Sequence, residues 1–207
     1  MTQATFTVFT GSKNTVAKGY DVESGVLTKV AADNFYNGTY EAVDAKPEEL
    51  IGIIKSIKQG QFITAGVHQS LGAGTCPADA CRTADAFKLP DGAGLLIIDG
   101  DSLSDFSITS ANKSVKKLRS LDPAMKTALI VTSPSASSGI KYKGSDSGLK
   151  GMHSYMVADD AKAMPAILEN LHKRSVLAGL ARAQITSNGL ILIKSMVDLA
   201  MKSSNQP

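Results

Sequence analysis

The chain has 207 residues, of which 43% are hydrophobic and 20% charged, and its net charge is +3. This length suits one domain, or a core with a smaller appendage, and it can bury an apolar core without disulfides. No apolar run approaches the roughly 18–20 residues of a membrane span, and the N-terminus lacks a secretory signal pattern. We therefore expect a cytoplasmic protein with no membrane partner.

The first half of the chain predicts several strands and one helix. Alternating apolar residues predict strands at 5–10, 25–30, 40–45 and 61–66, and the first two of these could pair. Pro47 near the start and Gly60 as a stop indicate a helix over 46–60. The segment 68–93 is rich in loop residues and carries both cysteines, Cys76 and Cys81, which are too few for a four-cysteine zinc site and which we expect to be reduced.

The second half predicts an alternation of strands and helices. Apolar runs predict strands at 94–99, 126–132, 152–158, 182–186 and 189–194. Helices are predicted at 110–123, closed by Asp122 and Pro123, and at 165–179, with a long loop of small residues over 133–151. Because strands outnumber helices and short links mix with helical ones, we expect an α+β fold with a mixed or antiparallel sheet. A polar tail after the last apolar strand suggests a fragment of a longer polypeptide.

Two carboxylates follow the strand "GLLIIDGD". Asp99 and Asp101 are spaced i and i+2, so on a strand they point to the same side. Two buried carboxylates at such a short distance both stay ionised only if a cation compensates their charges. Carboxylate oxygens suit Mg²⁺ or Mn²⁺ as ligands. The alternative is a solvent-exposed turn in which Asp-Gly merely ends the strand. Asp105, four residues beyond, is expected to be a bystander.

Two further residues could join this chemistry. His153 begins an alternating strand after a loop with glycines and lysines, so its imidazole is a plausible donor to a phosphate oxygen, although an ordinary structural histidine is the alternative. Asp198 is an acid in the otherwise apolar "MVDLAM", where it either caps a helix or serves as a third metal carboxylate. The metal hypothesis requires Asp198 to lie near Asp99 and Asp101.

The two halves of the chain differ in charge. Residues 1–107 carry 8 Lys and Arg against 13 Asp and Glu, whereas residues 108–207 carry 14 against 6. The basic half is either a solvated face or a surface that contacts phosphates. Aromatic residues that could stack bases are scarce, so charge alone does not decide between the two.

The order of these motifs resembles that of the archaeo-eukaryotic primase (prim-pol) superfamily, in the type carried by plasmids, phages and integrative elements. The matching stretches are "LLIIDGD" (95–101), "GMHSY" (151–155) and "MVD" (196–198). The resemblance covers nearly the whole chain and is clearest over 82–198. The chain departs from the family pattern at Gly151, where a small hydroxyl residue is usual, and at Lys194, where relatives often carry arginine.

The resemblance implies a primase-polymerase catalytic fold, with an RRM-like sheet flanked by helices. It implies an N-terminal αβ module over 1–80, packed on a catalytic metal-site module over 81–207, together one compact domain. The implied catalytic residues are Asp99, Asp101, Asp198 and His153, the three aspartates being ligands of two Mg²⁺ or Mn²⁺ ions. The implied nucleotide contacts are His153, Ser138, Gly139, Lys143 and Lys194, and the implied DNA contacts are Lys173, Arg174 and Arg82.

The implied function is synthesis or extension of primers on single-stranded template DNA by two-metal nucleotidyl transfer, in the replication of a mobile element. The implied partners are the template, a primer, NTP or dNTP, and a helicase or accessory domain in the same longer polypeptide or in trans. One alternative is a replication-initiation or DNA-binding module without catalysis. Another is a phosphatase of the haloacid-dehalogenase type, in which the DxD motif usually lies near the start of the domain.

Overall fold

The computed structural model describes residues 2–11, 19–23, 26–30, 38–69, 73–76, 83, 85–101 and 103–206. The fold is mixed α+β and contains a mixed sheet. The chain divides into two compact units. The first comprises Met1–Leu95, Val157–Lys162 and Ser203–Pro207, and the second comprises Leu96–Met156 and Ala163–Lys202. Within the described residues, no helix is both long and apolar enough to span a membrane.

The described elements are mostly short strands. In chain order they are β1 (Ala4–Gly11), β2 (Gly19–Glu23), β3 (Val26–Val30), β4 (Gly38–Ala45), β5 (Gln61–Thr64), β6 (Val67–His68), β7 (Ala73–Cys76), β8 (Phe87–Lys88), β9 (Gly94–Gly100), β10 (Val131–Pro134), β11 (Lys141–Tyr142), β12 (Ser145–Asp146), β13 (Met152–Ala158), β14 (Ala181–Ile185) and β15 (Ile191–Ser195). The α-helices are α1 (Leu50–Ser56), α2 (Ala111–Leu121) and α3 (Met164–Leu177). Short 3₁₀ helices cover Pro47–Glu49, Leu103–Phe106, Pro123–Lys126, Ala161–Ala163 and Leu199–Lys202.

The first unit is built around β1. This strand pairs antiparallel with β4 and β5 and, through Thr5 and Gly94, parallel with the start of β9. The predicted pairing of 5–10 with 25–30 is wrong, because β3 instead forms a hairpin with its close chain neighbour β2. Phe6 and Phe9 of β1 are fully buried, and the Phe9 ring lies 4.8 Å from that of Phe62. Because side chains alternate along a strand, Phe6 is buried on the opposite face of β1 from Phe9, and the aromatic contacts of Phe9 form the core on its own face.

The helix predicted over 46–60 is present but shorter. Its first turn is the 3₁₀ helix Pro47–Glu49, where the Glu49 carboxylate accepts a hydrogen bond from the Lys46 backbone N–H at 2.8 Å. The α-helix ends at Ser56, because Ile57 takes up an extended conformation. Gly60 therefore does not stop the helix; it forms the turn before β5, at a φ of 81° that glycine adopts without strain.

In the second unit, the sheet order is β10, β13, β9. Ile97 and Ile98 of β9 are at most 4% exposed, which explains the continuous apolar run. The strand predicted at 126–132 begins only at Val131. Asp122 and Pro123 cause the difference, because the Asp122 carboxylate accepts a hydrogen bond from the Ala124 N–H at 2.8 Å and starts a 3₁₀ helix through Lys126.

The helices and the last hairpin of the second unit match their predictions. α2 begins at the N-cap Ser110, whose hydroxyl accepts a hydrogen bond from the Lys113 N–H. α3 has Pro165 in its first turn and is followed by Gly179 at a φ of 72°. β14 and β15 pair antiparallel, with Arg182 directly opposite Lys194. This register places two basic side chains next to each other.

Candidate metal centre

The end of β9 carries two of the predicted carboxylates. The Asp99 side chain is 22% exposed, and Asp101 follows immediately after the strand. Gly100 separates them in a tight space, because a Cβ atom there would lie 3.3 Å from the backbone oxygens of both Met152 and Met196. The glycine therefore permits a close approach of backbone segments where the two acids emerge.

Asp198 comes to the same place. Its backbone N–H donates to the Asp99 backbone oxygen at 2.9 Å, and its Oδ1 accepts from the Ala200 N–H at 2.9 Å, capping the last 3₁₀ helix. One carboxylate oxygen each from Asp99, Asp101 and Asp198 lies within 4.8 Å of the other two. Asp198 therefore caps a helical turn, as one hypothesis held, and it also lies in a cluster of three carboxylates that could hold a metal ion; its role as a metal ligand stays a prediction.

One oxygen of this cluster stands out by its burial. Asp99 Oδ1 is buried and lacks a hydrogen-bond partner in the described part of the chain, and His153 Nε2 lies 3.4 Å from it. A buried carboxylate oxygen without a donor is costly, and a bound cation removes that cost. Three carboxylates also match the oxygen ligands that Mg²⁺ and Mn²⁺ prefer. The residues present thus fit a divalent ion.

His153 is held between Asp99 and Tyr155. The Tyr155 hydroxyl lies 3.4 Å from His153 Nδ1, on the opposite side of the ring from the Asp99 contact. Burial of Tyr155, and secondarily the negative charge of Asp99, raise the pKa of its phenol to about 12. The phenol therefore keeps its proton at neutral pH and lies within hydrogen-bond distance of Nδ1, while Nε2 is the ring nitrogen that faces Asp99.

The loop over 133–151 uses its polar groups internally. The Ser138 hydroxyl donates to the Gly151 backbone oxygen at 2.9 Å and accepts from the Lys150 and Gly151 N–H groups at 3.0 and 3.2 Å. Gly139 has a φ of 68°, and its N–H donates to the Gly148 oxygen. The structure thus brings Ser138 to the start of β13, but the hydroxyl is engaged by backbone groups.

Lys143 lies at the turn of a small hairpin in this loop, which β11 and β12 form. Its Nζ lies 5.4 Å from the centre of the Tyr142 ring, and its φ is 47°. The side chain is exposed, so it remains accessible to an anionic ligand.

Gly151 adjoins the carboxylates directly. A Cβ atom at this position would lie 3.0 Å from the Gly100 oxygen, 3.2 Å from Asp101 Oδ1 and 2.9 Å from the Ser135 hydroxyl. A side chain in this position would therefore press on the end of β9. This contact gives a physical reason for glycine at position 151.

A cavity of about 350 Å³ opens beside Asp101 and Asp198. The hairpin of β14 and β15 contributes Arg182 and Lys194 to its lining. Arg182 Nε donates to Asp105 Oδ2 at 2.8 Å, whereas the Lys194 ammonium has no hydrogen bond or ion pair to any residue that the structure describes. Arg182 and Lys194 thus place two cations in a cavity that Asp101 and Asp198 also line, and these cations can pair with an anionic ligand where a metal ion offsets the carboxylates.

The residues predicted to contact DNA do not gather at this cavity. Lys173 is exposed on α3. Arg174 makes an ion pair with Asp122 at 2.8 Å and donates to the Leu121 backbone oxygen at 2.8 Å, so its guanidinium links α3 to the end of α2. Arg82 and Cys81 lie outside the described residues.

The sequence patterns did not single out several residues of this cavity, among them Phe106, His172, Arg182 and Gln184. Alternation along β14 is the signal that could have identified two of them, because Arg182 and Gln184 occupy the same face and pair with Lys194 and Leu192. Asp105 lies outside the carboxylate cluster, as expected, but it holds Arg182. Nothing in the sequence indicated that His172 would hydrogen-bond the Val197 backbone next to Asp198.

Comparison of this chain with protein-family models, with curated proteins and with solved structures finds no match. The functional argument therefore depends on the geometry of the candidate metal centre and the adjoining cavity.

Proposed function

We propose that the protein is a nucleotidyltransferase that makes or extends primers on a single-stranded DNA template. The observation that carries this proposal is the convergence of Asp99, Asp101 and Asp198, three carboxylates from distant parts of the sequence, beside a cavity lined by cationic side chains. Carboxylates that can hold metal ions, with cationic side chains beside them, suit transfer of a nucleotidyl group from a nucleoside triphosphate with release of pyrophosphate.

The three aspartates would hold Mg²⁺ or Mn²⁺. Divalent ions bound there would lower the pKa of an attacking 3′-hydroxyl and neutralise charge on the reacting phosphate and the leaving pyrophosphate. The protein itself would orient the triphosphate in the cavity, with Lys194 offering its ammonium and the outward face of the loop offering Lys143. His153, which lies beside Asp99, would donate a hydrogen bond to a phosphate oxygen, as either a neutral or a protonated imidazole can.

Arg182 would add a second positive charge to this pocket. Its partner Asp105 is an exposed carboxylate, so the ion pair is weak and can exchange for a phosphate group. In the cell we place this activity in the cytoplasm, in the replication of a mobile element, with a helicase or accessory domain in the same polypeptide or in trans. The substrates would be the template, a primer, and NTP or dNTP.

The proposal is tested by nucleotide incorporation on a primed and an unprimed single-stranded template with Mn²⁺ or Mg²⁺. Asp99→Asn and Asp101→Asn keep the side-chain shape but remove a charged ligand, so we expect each to lower incorporation by more than about 100-fold and to weaken Mn²⁺ binding. Asp159→Asn is the matched control, because Asp159 is exposed and lies outside the cluster. Thermal unfolding checks that every variant folds.

Three outcomes would contradict the proposal. Incorporation by the double variant Asp99→Asn/Asp101→Asn at the wild-type rate would exclude the aspartates as metal ligands. Template-free hydrolysis of a phosphate monoester, with no incorporation, would favour the phosphatase alternative. Sequence-specific binding of duplex DNA without incorporation would favour the non-catalytic DNA-binding module.

A further inference from the structure

The exposed side of α2 is strongly basic. This helix carries Lys113, Lys116, Lys117 and Arg119 and has no acidic residue. Its buried residues, Ser114, Leu118 and Leu121, lie on the opposite side, so the three lysines point away from the core. Lys113 and Lys117 are one helical turn apart, which spaces them about 6 Å along the axis. We call these three residues the lysine face of α2.

The described part of the chain does not neutralise this face. No lysine of the face makes an ion pair with a residue in the described ranges, and Lys113 Nζ lies 3.1 Å from the Thr109 hydroxyl, a neutral partner. Lysines at i, i+3 and i, i+4 on one helix repel each other and oppose helix formation. Arg174 on α3, by contrast, is neutralised by Asp122. A row of like charges with no carboxylate partner among the described residues fits a ligand with repeated negative charges.

The lysine face lies against a groove that leads towards the candidate metal centre. The three lysines line a cavity of about 450 Å³ together with Phe106. Phe106 also lines the cavity that contains Asp101 and Asp198. The basic cavity and the cavity beside the carboxylate cluster therefore adjoin at Phe106.

We propose that the lysine face of α2 binds the phosphate backbone of a single-stranded nucleic acid and guides it past Phe106 to the carboxylate cluster. As a template track, this surface depends on the proposed nucleotidyltransferase function. Phosphates at regular intervals match the row of ammonium groups, which recognise charge but not sequence. A single strand is favoured over a duplex because its unpaired bases can stack on the Phe106 ring.

The test is binding of a fluorescein-labelled 20-mer of deoxythymidine, measured by anisotropy over a range of salt concentrations without metal or nucleotide. The variant Lys113→Ala/Lys116→Ala/Lys117→Ala keeps the helix, because alanine is the best helix former. Each phosphate contact on a single strand contributes about 0.7 to the steepness of the plot of log affinity against log salt. Loss of the three lysine contacts should therefore make the slope of the triple variant shallower by about 2. At 0.1 M salt this is a loss of about 100-fold in affinity.

The matched control is Lys55→Ala/Lys58→Ala/Lys88→Ala. It removes the same charge from exposed positions of the first unit. We expect its affinity to stay within about threefold of wild type, because these lysines line neither cavity and exposed charges outside a binding site are largely screened at this salt. Phe106→Leu keeps an apolar side chain but removes the ring, and we expect it to weaken binding about tenfold with an unchanged salt slope.

Several results would overturn the inference: no binding of the 20-mer by the wild-type protein, equal losses in the two triple variants, or no loss in either. Tighter binding of a duplex of the same length would overturn the single-strand assignment. If Asp99→Asn binds the 20-mer like wild type but does not incorporate nucleotide, the surface and the reaction are separate features, as proposed. Lysine-dependent binding without any incorporation by the wild type would refute the proposed function and leave the surface in place.

Discussion

The second unit contains two polar features that were predicted to contact ligands: the carboxylate cluster and the serine-rich loop over 133–151. They differ in whether their polar atoms have hydrogen-bond partners within the protein. In the loop, the hydroxyls of Ser135, Ser138 and Ser147 bond to neighbouring hydroxyl or backbone groups. In the cluster, Asp99 Oδ1 is buried without a hydrogen-bond partner in the described residues. Because a folded chain rarely leaves buried polar atoms unpaired, the cluster is the feature that calls for a ligand from outside.

This difference indicates that the loop has a structural role, whereas the carboxylate cluster is suited to bind a ligand. Each hydrogen bond that Ser138 makes closes the loop onto Gly151, at the start of β13. Gly151 in turn lies against the backbone oxygen of Gly100. We infer that the loop acts as a support for the carboxylates. Contacts of Ser138 and Gly139 with nucleotide stay predictions.

The largest effect is expected where the loop and the cluster meet. In Gly151→Ala the new Cβ would lie within 3.0 Å of the Gly100 oxygen and 3.2 Å of Asp101 Oδ1, so the end of β9 must shift. Changes that displace metal ligands typically cost 10- to 100-fold in affinity, and we expect a loss of about that size for Mn²⁺, measured by titration calorimetry.

Gly52→Ala is the control for this substitution, because a Cβ there meets no atom within 4 Å and the residue lies within α1. It should bind Mn²⁺ as the wild type does and be slightly more stable. Equal Mn²⁺ affinity for Gly151→Ala and wild type would show that the loop does not support the cluster.

The next effect is on stability. Ser138→Ala removes the acceptor for the Lys150 and Gly151 N–H groups and the donor to the Gly151 oxygen. Leaving such groups unpaired costs about 1–3 kcal/mol, so urea unfolding should show a loss in that range. Nucleotide affinity should change by less than about threefold, because the hydroxyl is already engaged.

The control for this substitution is Ser145→Ala, at an exposed position of the same loop. It removes one hydroxyl from the loop, as Ser138→Ala does, and it should change neither the stability nor the nucleotide affinity. A large loss of nucleotide affinity in Ser138→Ala with intact stability would instead make Ser138 a ligand contact.

Much of the fold was predictable because its signals are local. Pro165 and Gly179 bound α3 nearly where the sequence indicates, and the alternation over 182–186 and 189–194 corresponds to the hairpin of β14 and β15. The errors arise where a nearby chain segment competes. β3 pairs with β2 and not with β1, and the Asp122 cap delays β10 to Val131.

The candidate site was predictable only in part. Residue type and order singled out Asp99, Asp101 and Asp198, and the structure brings them together. Sequence could not show that the hydroxyl of Ser138 is engaged, because that depends on how the loop closes onto Gly151; Arg182 was missed although alternation along β14 could have identified it. Nor could it show that Phe106 borders two cavities, since that depends on where the chain folds back after β9.

The smallest effect is expected at Tyr155, and it reports on the charge of the cluster. The pKa of its phenol is about 12 in the folded protein, against about 10 for an exposed tyrosine, so the unfolded chain loses its proton first. The stabilisation from the buried neutral phenol is therefore present below pH 10 and is lost as the pH rises towards 12. At pH 11 the loss is about 1.4 kcal/mol relative to pH 8.

Tyr155→Phe should lack this loss, so the difference in unfolding free energy between variant and wild type changes by about 1.4 kcal/mol between pH 8 and pH 11. Urea unfolding in EDTA measures it, with Tyr142→Phe as the control at a less buried tyrosine. Identical pH dependence in the two variants would contradict the burial of the Tyr155 phenol. Repeating the measurement on Asp99→Asn should reduce the loss, because that variant lacks the negative charge that helps to raise the pKa of Tyr155.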